Sequence, residues 1–263
     1  MARKMNMDKK GDVNFNKIEL MWLGQSGFIL NAGRTRIIID PYLSDYCEKK
    51  ANFKRITPVI LKPEDVRADF IITSHLHPDH FDEDSLPVIM QNNNPILIGP
   101  QSCIQRSIEM GFKKKNLILF KEGQYKEFDE FGIKGIYSDH GDLEPFAIGF
   151  LFFIKNIKIY FSGDTSFKSE KMQKIIKEKP DIAIIPINGA YGNLDPLEAA
   201  VFARELKAET VVPCHYWTFV EHDFGSPRVF KYNMSYIYPE CRVELLKMGE
   251  IFTYIKKTDN WIN

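Results

Sequence analysis

Asp69-Phe70-Ile71-Ile72-Thr73-Ser74-His75-Leu76-His77-Pro78-Asp79-His80 sets a short apolar strand directly against a cluster of ionisable side chains. Asp69 to Thr73 has the brevity and apolar centre of a buried strand. In the next seven residues four are metal-ligand types, in a chain of 263 residues that has only six histidines. In an extended chain residues 75, 77 and 79 point the same way. Pro78 biases His77 towards extended geometry, and the chain is expected to turn at His80. His75 and His77 can then grip one cation while Asp79 and His80 reach a neighbouring position.

Upstream, strand signals run over Lys17 to Leu23, Phe28 to Leu30 and Arg36 to Asp40, with a turn at Asn31-Ala32-Gly33. Gly24-Gln25-Ser26-Gly27 lacks the spacing of a nucleophile elbow or a phosphate loop and reads as a tight hairpin turn. Residues 44–68 are polar and read as a long loop with one short helix. Downstream, strands are expected at Ile96 to Ile98, Leu117 to Phe120, Lys126 to Phe131 and Ile133 to Tyr137, with a helix from Gln101 to Met110. Phe146 to Ile154 and Lys158 to Phe161 form a hairpin around Asn156.

Beyond Asp164 strands alternate with helices. Lys168 to Lys179 is helical, and Asp181 to Ile187 is a buried strand. Asp195-Pro196 starts a helix with an N-cap acid and Pro at its first position. Ala199, Phe202, Ala203 and Leu206 give that helix its apolar stripe. Thr210 to Cys214 is the last core strand, and Arg242 to Leu245 and Glu250 to Ile255 close the sheet. Each half opens with hairpins and ends with strand–helix units. Two such halves packed sheet to sheet give a four-layer αββα sandwich of two mixed β-sheets, helices outside. No repeat or linker divides it, so residues 17–263 read as a single domain behind a flexible lead-in, 1–16.

Composition limits the function. Apolar residues make up 44%, with 16 Gly and 14 Pro, which excludes disordered and fibrous classes. Lys plus Arg and Asp plus Glu are both 35, a balance that argues against nucleic acid or an anionic membrane as partner. The longest uncharged apolar run, Phe146 to Ile154, is far shorter than the ~20 residues of a membrane span. Met1 to Lys10 is polar, unlike the apolar core of a signal peptide. Four scattered cysteines without a CxxC pair fit a reduced, cytoplasmic chain, open to homo-oligomerisation and acting on a small molecule.

Three more ligand-type residues sit where strands end: His140 in Ser-Asp-His-Gly-Asp, Asp164 in Phe-Ser-Gly-Asp-Thr, and His215 in Pro-Cys-His-Tyr-Trp. Polar residues beyond core strands are how a sandwich assembles a site from distant sequence. Asn188, Tyr191, Tyr216, Trp217 and His222 lie next to these strand ends and are candidates for substrate contact. His222 reads either as an exposed loop residue between Glu221 and Asp223 or as a group that protonates a leaving group. Cys214 is expected to point into the sheet.

HxHxDH, a lone His, Gly-Asp and a strand-terminal His together resemble the metallo-β-lactamase superfamily, over about Lys17 to Ile255. The resemblance implies that His75, His77 and His140 hold one metal, that Asp79, His80 and His215 hold the other, and that Asp164 bridges them. It places Asp40 of Ile-Ile-Ile-Asp-Pro behind the ligands, orienting one of them. Trp22-Leu23-Gly24-Gln25-Ser26-Gly27, Thr57-Pro58 with Leu61, and Ile98-Gly99-Pro100 with Cys103 resemble the L-ascorbate-6-phosphate lactonase branch, without its C-terminal extension. Pro186-Ile187-Asn188-Gly189-Ala190-Tyr191 with Asp195-Pro196 and Glu198 is similar to N-acylphosphatidylethanolamine phospholipase D-type hydrolases.

Two divalent cations ~3.5–4 Å apart share one water, lower its pKa towards ~7 and polarise the bond it attacks. Five His and two Asp suit zinc; the lactonase resemblance points to manganese, and iron fits the superfamily's redox branch, although that branch has HxExD where this chain has His77. Asp79 is placed to orient the nucleophilic hydroxide or accept its proton. The expectation is a dinuclear metal-dependent hydrolase whose catalytic carboxylates are Asp79 and Asp164. Its substrate is a small-molecule ester, in particular a phosphorylated sugar lactone. The alternative is a phosphodiesterase acting on a lipid head group or nucleotide.

Overall fold

Ile37, Ile38 and Ile39 are all fully buried, yet the outer two face one hydrophobic cluster and the middle one another. Ile72 and Ile98 share the first layer while Ile71 and Leu97 share the second. This period of two across neighbouring strands is the mark of a sheet covered on both faces. The computed structural model describes residues 17–168, 170–222 and 224–256, the side chains of Leu143 and His222 excepted. The lead-in expected at 1–16 lies outside the described residues.

The first sheet contains β1 (Lys17–Gly24), β2 (Gly27–Ala32), β3 (Thr35–Ile39), β4 (Phe70–Ile72), β5 (Ile96–Gly99) and β6 (Leu117–Leu119). The second contains β7 (Tyr125–Glu127), β8 (Gly132–Tyr137), β9 (Ile148–Ile154), β10 (Ile157–Phe161), β11 (Ile182–Pro186), β12 (Thr210–Cys214) and β13 (Arg242–Val243). β14 (Ile251–Ile255) then returns to the first sheet, giving the orders β14-β1-β2-β3-β4-β5-β6 and β13-β12-β11-β10-β9-β8-β7. Each sheet has seven strands and is mixed: three antiparallel pairings followed by three parallel ones. The expectation that both C-terminal strands close one sheet is therefore corrected. Arg242–Val243 edges the second sheet, whereas Ile251–Ile255 pairs with β1.

The inner faces meet in one core, where Phe28 of β2 lies edge-on to Phe161 of β10 at 6.4 Å between ring centroids. Six α-helices are found among the described residues. α1 (Tyr46–Ala51) is the short helix expected in the long loop, and α2 (Leu86–Asn93) and α3 (Gln101–Glu109) cover the outer face of the first sheet. α4 (Gln173–Glu178), α5 (Pro196–Leu206) and α6 (Pro227–Ile237) pack on the second. α5 starts as its sequence dictates: the Asp195 side chain accepts from the Leu197 and Glu198 amides, and Glu198 reaches back to the Asp195 amide.

α2 and α6 were not visible in the pattern. α2 begins Leu86-Pro87 and ends in a run of Asn, a polar surface that masks its three buried residues, and α6 exposes Val229, Tyr232 and Tyr236 on its outer side. The strand expected over Lys126 to Phe131 stops at Glu127, because residues 128–131 turn back into β8. α4 is shorter than the helix expected over Lys168 to Lys179 and is capped after Glu178 by Lys179, whose φ of 49° is left-handed. Among the described residues no helix is long and apolar enough to cross a membrane.

Candidate metal centre

The parallel half of each sheet sends its carboxyl ends to the same edge of the sandwich, where open α/β sheets place their ligands. β3 runs into Asp40, β4 into Ser74–His80, β10 into Asp164 and β12 into His215, while β8 leads to His140. Gly163 makes this approach possible. Its φ is +60°, and a Cβ there would meet the Ser74 side chain at 2.9 Å, so only glycine lets the 162–164 segment lie against the histidine loop.

All seven candidate ligands converge. His75 Nε2 lies 3.0 Å from His77 Nδ1, which lies 3.1 Å from His140 Nε2. Asp79, His80 and His215 form a second triad: Asp79 Oδ2 is 3.5 Å from His80 Nε2 and 3.3 Å from His215 Nε2. In each triad the ligand atoms lie within 4.8 Å of one another, a spacing that could hold a metal ion. Asp164 spans the two, with Oδ1 3.3 Å from His80 Nε2 and Oδ2 3.2 Å from His215 Nε2 and 4.0 Å from His140 Nε2. Asp40, His75 and His80 also cluster, but there the polar atoms already have partners. Asp40 accepts from the Ser74 amide at 2.7 Å and from the Ser74 hydroxyl at 2.5 Å, and its Oδ2 is 2.7 Å from His80 Nδ1.

The unpartnered atoms are on the opposite side. His80 Nε2 and Asp164 Oδ1 are buried without a hydrogen-bond partner, although they face each other. Buried polar atoms are seldom left so, and a nitrogen–oxygen donor set converging on such a gap is what a divalent cation fills. The residues present fit a metal.

The electrostatics divide the two triads. Burial alone would raise Asp79 and Asp164, but His80 and His215 hold both well below the usual carboxylate range. Burial likewise disfavours charge on His80 and His215, yet Asp164 and Asp79 carry His80 well above the usual imidazole value and His215 to about 9. His75 and His140 are pushed down, by burial first and then by neighbouring imidazoles. Burial raises Asp40, outweighing His80. His75 and His140 are thus disposed to stay neutral and ready to ligate, while Asp79, His80, His215 and Asp164 form an ion cluster whose protons a metal would displace.

Two supports were missed in the sequence. Gln25, at the tip of the β1–β2 hairpin with φ of 50°, is buried and donates from Nε2 to Asp79 Oδ2 at 2.7 Å, with His215 Nε2 at 3.1 Å. Its carbonyl accepts from Trp22 Nε1 and from the His215 amide, each at 2.9 Å. Asn193 donates from Nδ2 to Asp164 Oδ2 at 2.8 Å. A long polar side chain in a Gly-X-X-Gly turn and an Asn just before a helix cap were the available signals.

A cavity of about 200 Å³ opens beside the cluster, lined by His77, Asp79, His140, Asp164 and His215 together with Cys47, Ala51, Phe53, Pro78, Asn188, Tyr191 and Asn193. Asn188 and Tyr191, two of the residues expected to contact substrate, are at this cavity. Tyr216 is not: it is 3% exposed and packs on Trp22 at 4.9 Å between centroids. His215 and Trp217 both have φ of 60°, and this backbone reversal turns Tyr216 into the core. Trp217 is half exposed and does not line the cavity. Cys214 is buried in the core as expected. His222 ends a short 3₁₀ turn, Val220–His222, and its side chain lies outside the described residues.

Known proteins of similar sequence and fold are metal-dependent hydrolases by name. A UPF0173 metal-dependent hydrolase of Listeria innocua is 29% identical over 78% of this chain and 89% of its own length. One from Bacillus mycoides is 31% identical over 82% of this chain and 91% of its own. The structure of Igni18, a metallo hydrolase from Ignicoccus hospitalis, superposes with a TM-score of 0.75 at 24% identity, covering 92% of this chain and all of that one. None of these singles out the L-ascorbate-6-phosphate lactonase branch. The profile of the Beta-lactamase superfamily domain matches residues 19–215, from the first strand to the last of the converging histidines, and the chain belongs to that family.

Proposed function

We propose that this chain is a dinuclear metal-dependent hydrolase of small-molecule esters, with a lactone as its substrate type. The observation that carries the reading is Asp164, whose carboxylate reaches the atoms of both histidine triads. His75, His77 and His140 would hold one divalent cation, Asp79, His80 and His215 the other, and Asp164 would be shared. Zinc suits the imidazole-rich set, and manganese or iron is the alternative. Bound there, such ions supply Lewis acidity and an activated water.

The chain's own residues do the rest. Asp79 engages Gln25, His80 and His215 through Oδ2, which leaves Oδ1 to orient the attacking water and take its proton. Gln25 and Asn193 fix the two carboxylates, and Asp40 with Ser74 fixes the rings of His80 and His75. Phe53 and Tyr191, edge to face at 6.2 Å between ring centroids, give the cavity an aromatic side against which a substrate ring can rest. Among the described residues lining the cavity none is Lys or Arg. This favours an unphosphorylated lactone over a phosphorylated one, since phosphate recognition relies on such groups.

The test is elemental analysis after reconstitution with excess zinc or manganese, followed by turnover of simple lactones, phosphorylated sugar lactones and bis-aryl phosphodiesters. Two equivalents of metal and fastest turnover of a simple lactone are expected. No bound metal would sink the site assignment, and far faster phosphodiester hydrolysis would move the function to a phosphodiesterase.

A further inference from the structure

One apolar side of the cavity belongs to neither sheet. Cys47 and Ala51 lie on α1 and Phe53 in the strap that follows it, and α1 has only six residues. A helix that short does not hold itself. Something else must fix this side relative to the candidate ligands. Asn52 ends α1 with a left-handed φ of 58°, and the chain turns there into the strap.

Arg55 ties the strap down. Its Nη2 donates to the Tyr42 carbonyl at 2.8 Å and to the Ser44 carbonyl at 3.2 Å, and its guanidinium lies over the Tyr42 ring, 3.8 Å from the centroid. The segment after α1 is thereby closed onto the loop before it. That loop is fastened in turn to the end of the histidine loop, where Asp82 accepts from the Leu43 amide at 3.0 Å and the Ser44 hydroxyl at 2.7 Å.

The backbone of the strap reaches the other triad. Arg55 forms an antiparallel bridge with Phe219, and the Ile56 amide donates to the Thr218 carbonyl at 2.9 Å. The Thr218 hydroxyl accepts from the Gln25 amide at 3.2 Å, and Gln25 holds Asp79 and His215. A guanidinium fixes position in its plane through hydrogen bonds and across it through the stack, which a lysine ammonium does not. Phe53 carries this order into the cavity: its ring lies 6.2 Å from Phe219 and 6.2 Å from Tyr191 between centroids.

We propose that Arg55 is a positioning residue that, acting through Phe53, sets the distance between the apolar side of the cavity and the Asp79–His80–His215 triad. Arg55 does not itself line the cavity. The kinetic part of its test rests on the hydrolase reading, and the structural part does not.

The test compares the zinc-loaded full chain with Arg55→Lys, Phe53→Leu and the double variant, reading amide hydrogen exchange over residues 52–60, metal content, and kcat and KM on a simple lactone. In the unmodified chain the Phe53 and Ile56 amides are expected to exchange more slowly than those of the exposed Val59 and Ile60. Arg55→Lys is expected to speed the Phe53 and Ile56 amides roughly tenfold or more, the scale of a lost hydrogen bond from a charged donor. It is also expected to raise KM roughly tenfold with kcat within about twofold and metal content unchanged, the mark of lost ground-state contact. With Phe53→Leu already present, the lysine change is expected to leave KM unmoved, because residues acting through one contact are not additive. A lower melting temperature with KM and local exchange unchanged would make Arg55 a structural staple and overturn the proposal, as would additive effects on KM. Equal exchange across 52–60 in the unmodified chain would overturn it without any variant having to fold. If the unmodified chain hydrolyses no ester, the hydrolase reading fails, and the exchange result alone upholds or overturns the positioning.

Discussion

The two halves of the molecule use the same sheet plan and supply the site in opposite ways. In the first half one loop, residues 75–80, carries four candidate ligands within six positions. In the second, His140, Asp164 and His215 arrive singly from the ends of β8, β10 and β12. The first half is buttressed by side chains, Asp40 and Ser74 behind the rings of His75 and His80. The second relies more on backbone: His215 is held at φ 60° by the hydrogen bond its backbone N–H donates to the Gln25 carbonyl, and Asp164 is admitted by Gly163. A local cluster can grip an ion, but only residues brought by sheet topology can span two. The span is therefore where the comparison is most easily broken.

Removing metal should have the largest effect. Dialysis against a strong chelator is expected to abolish hydrolysis and lower the melting temperature, because a ligand bound only by the folded chain stabilises it by mass action. The melting temperature should return on adding zinc. An unchanged melting curve with full activity would mean that the converging histidines serve structure alone.

Asp164→Asn comes next. It keeps size and loses the charge that faces both triads, so a folded protein with weakened binding at one or both metals is expected. The rate should fall at least ~100-fold, the scale of lost transition-state charge stabilisation. Full activity with both metals retained would transfer the shared role to Asp79, and the second half would no longer be the half that spans.

The buttresses should matter less than the ligands they hold. Asp40→Asn and Gln25→Leu are each expected to cost roughly 10–100-fold in metal affinity or turnover, the usual loss when a partner behind a ligand is removed. Gln25 touches both Asp79 and His215, so its replacement should perturb the second triad while leaving the His75–His77–His140 group able to bind one equivalent. Loss of both equivalents would show that the triads are filled cooperatively.

The same contrast explains how much was legible in the sequence. The 74–80 cluster could be read directly, because its spacing and its position after a buried strand are both local. His140, Asp164 and His215 were visible as polar residues at strand ends, but their convergence follows from strand order that periodicity does not encode. Gln25 was hidden by its setting: a Gly-X-X-Gly turn explains itself as a turn, and nothing in it says that the tip folds under the sandwich edge. Tyr216 was misplaced because neighbours of a ligand are expected to share its direction. Left-handed φ values at His215 and Trp217 reverse that direction here. Helix α6 was missed because its exposed aromatic residues blur the apolar stripe, whereas α5 was legible through its cap and its stripe of Ala199, Phe202, Ala203 and Leu206.

That cap gives the smallest expected effect. Asp195 accepts the Leu197 and Glu198 amides at 2.7 and 2.8 Å, and the Glu198 carboxylate closes the box on the Asp195 amide at 3.0 Å. Asp195→Ala leaves those amides to water, which typically costs about 1 kcal/mol. The helix itself should survive, since its apolar stripe stays buried against the second sheet. Asp195 does touch the site indirectly, because its side chain lies 3.1 Å from where a Cβ on Gly189 would stand, in the turn that carries Asn188. A purely structural cap predicts a lower melting temperature with metal content and lactone turnover unchanged. A fall in turnover without loss of metal would instead show that the start of α5 sets the turn that carries Asn188, adding a second side-chain support to the one Asn193 already gives Asp164.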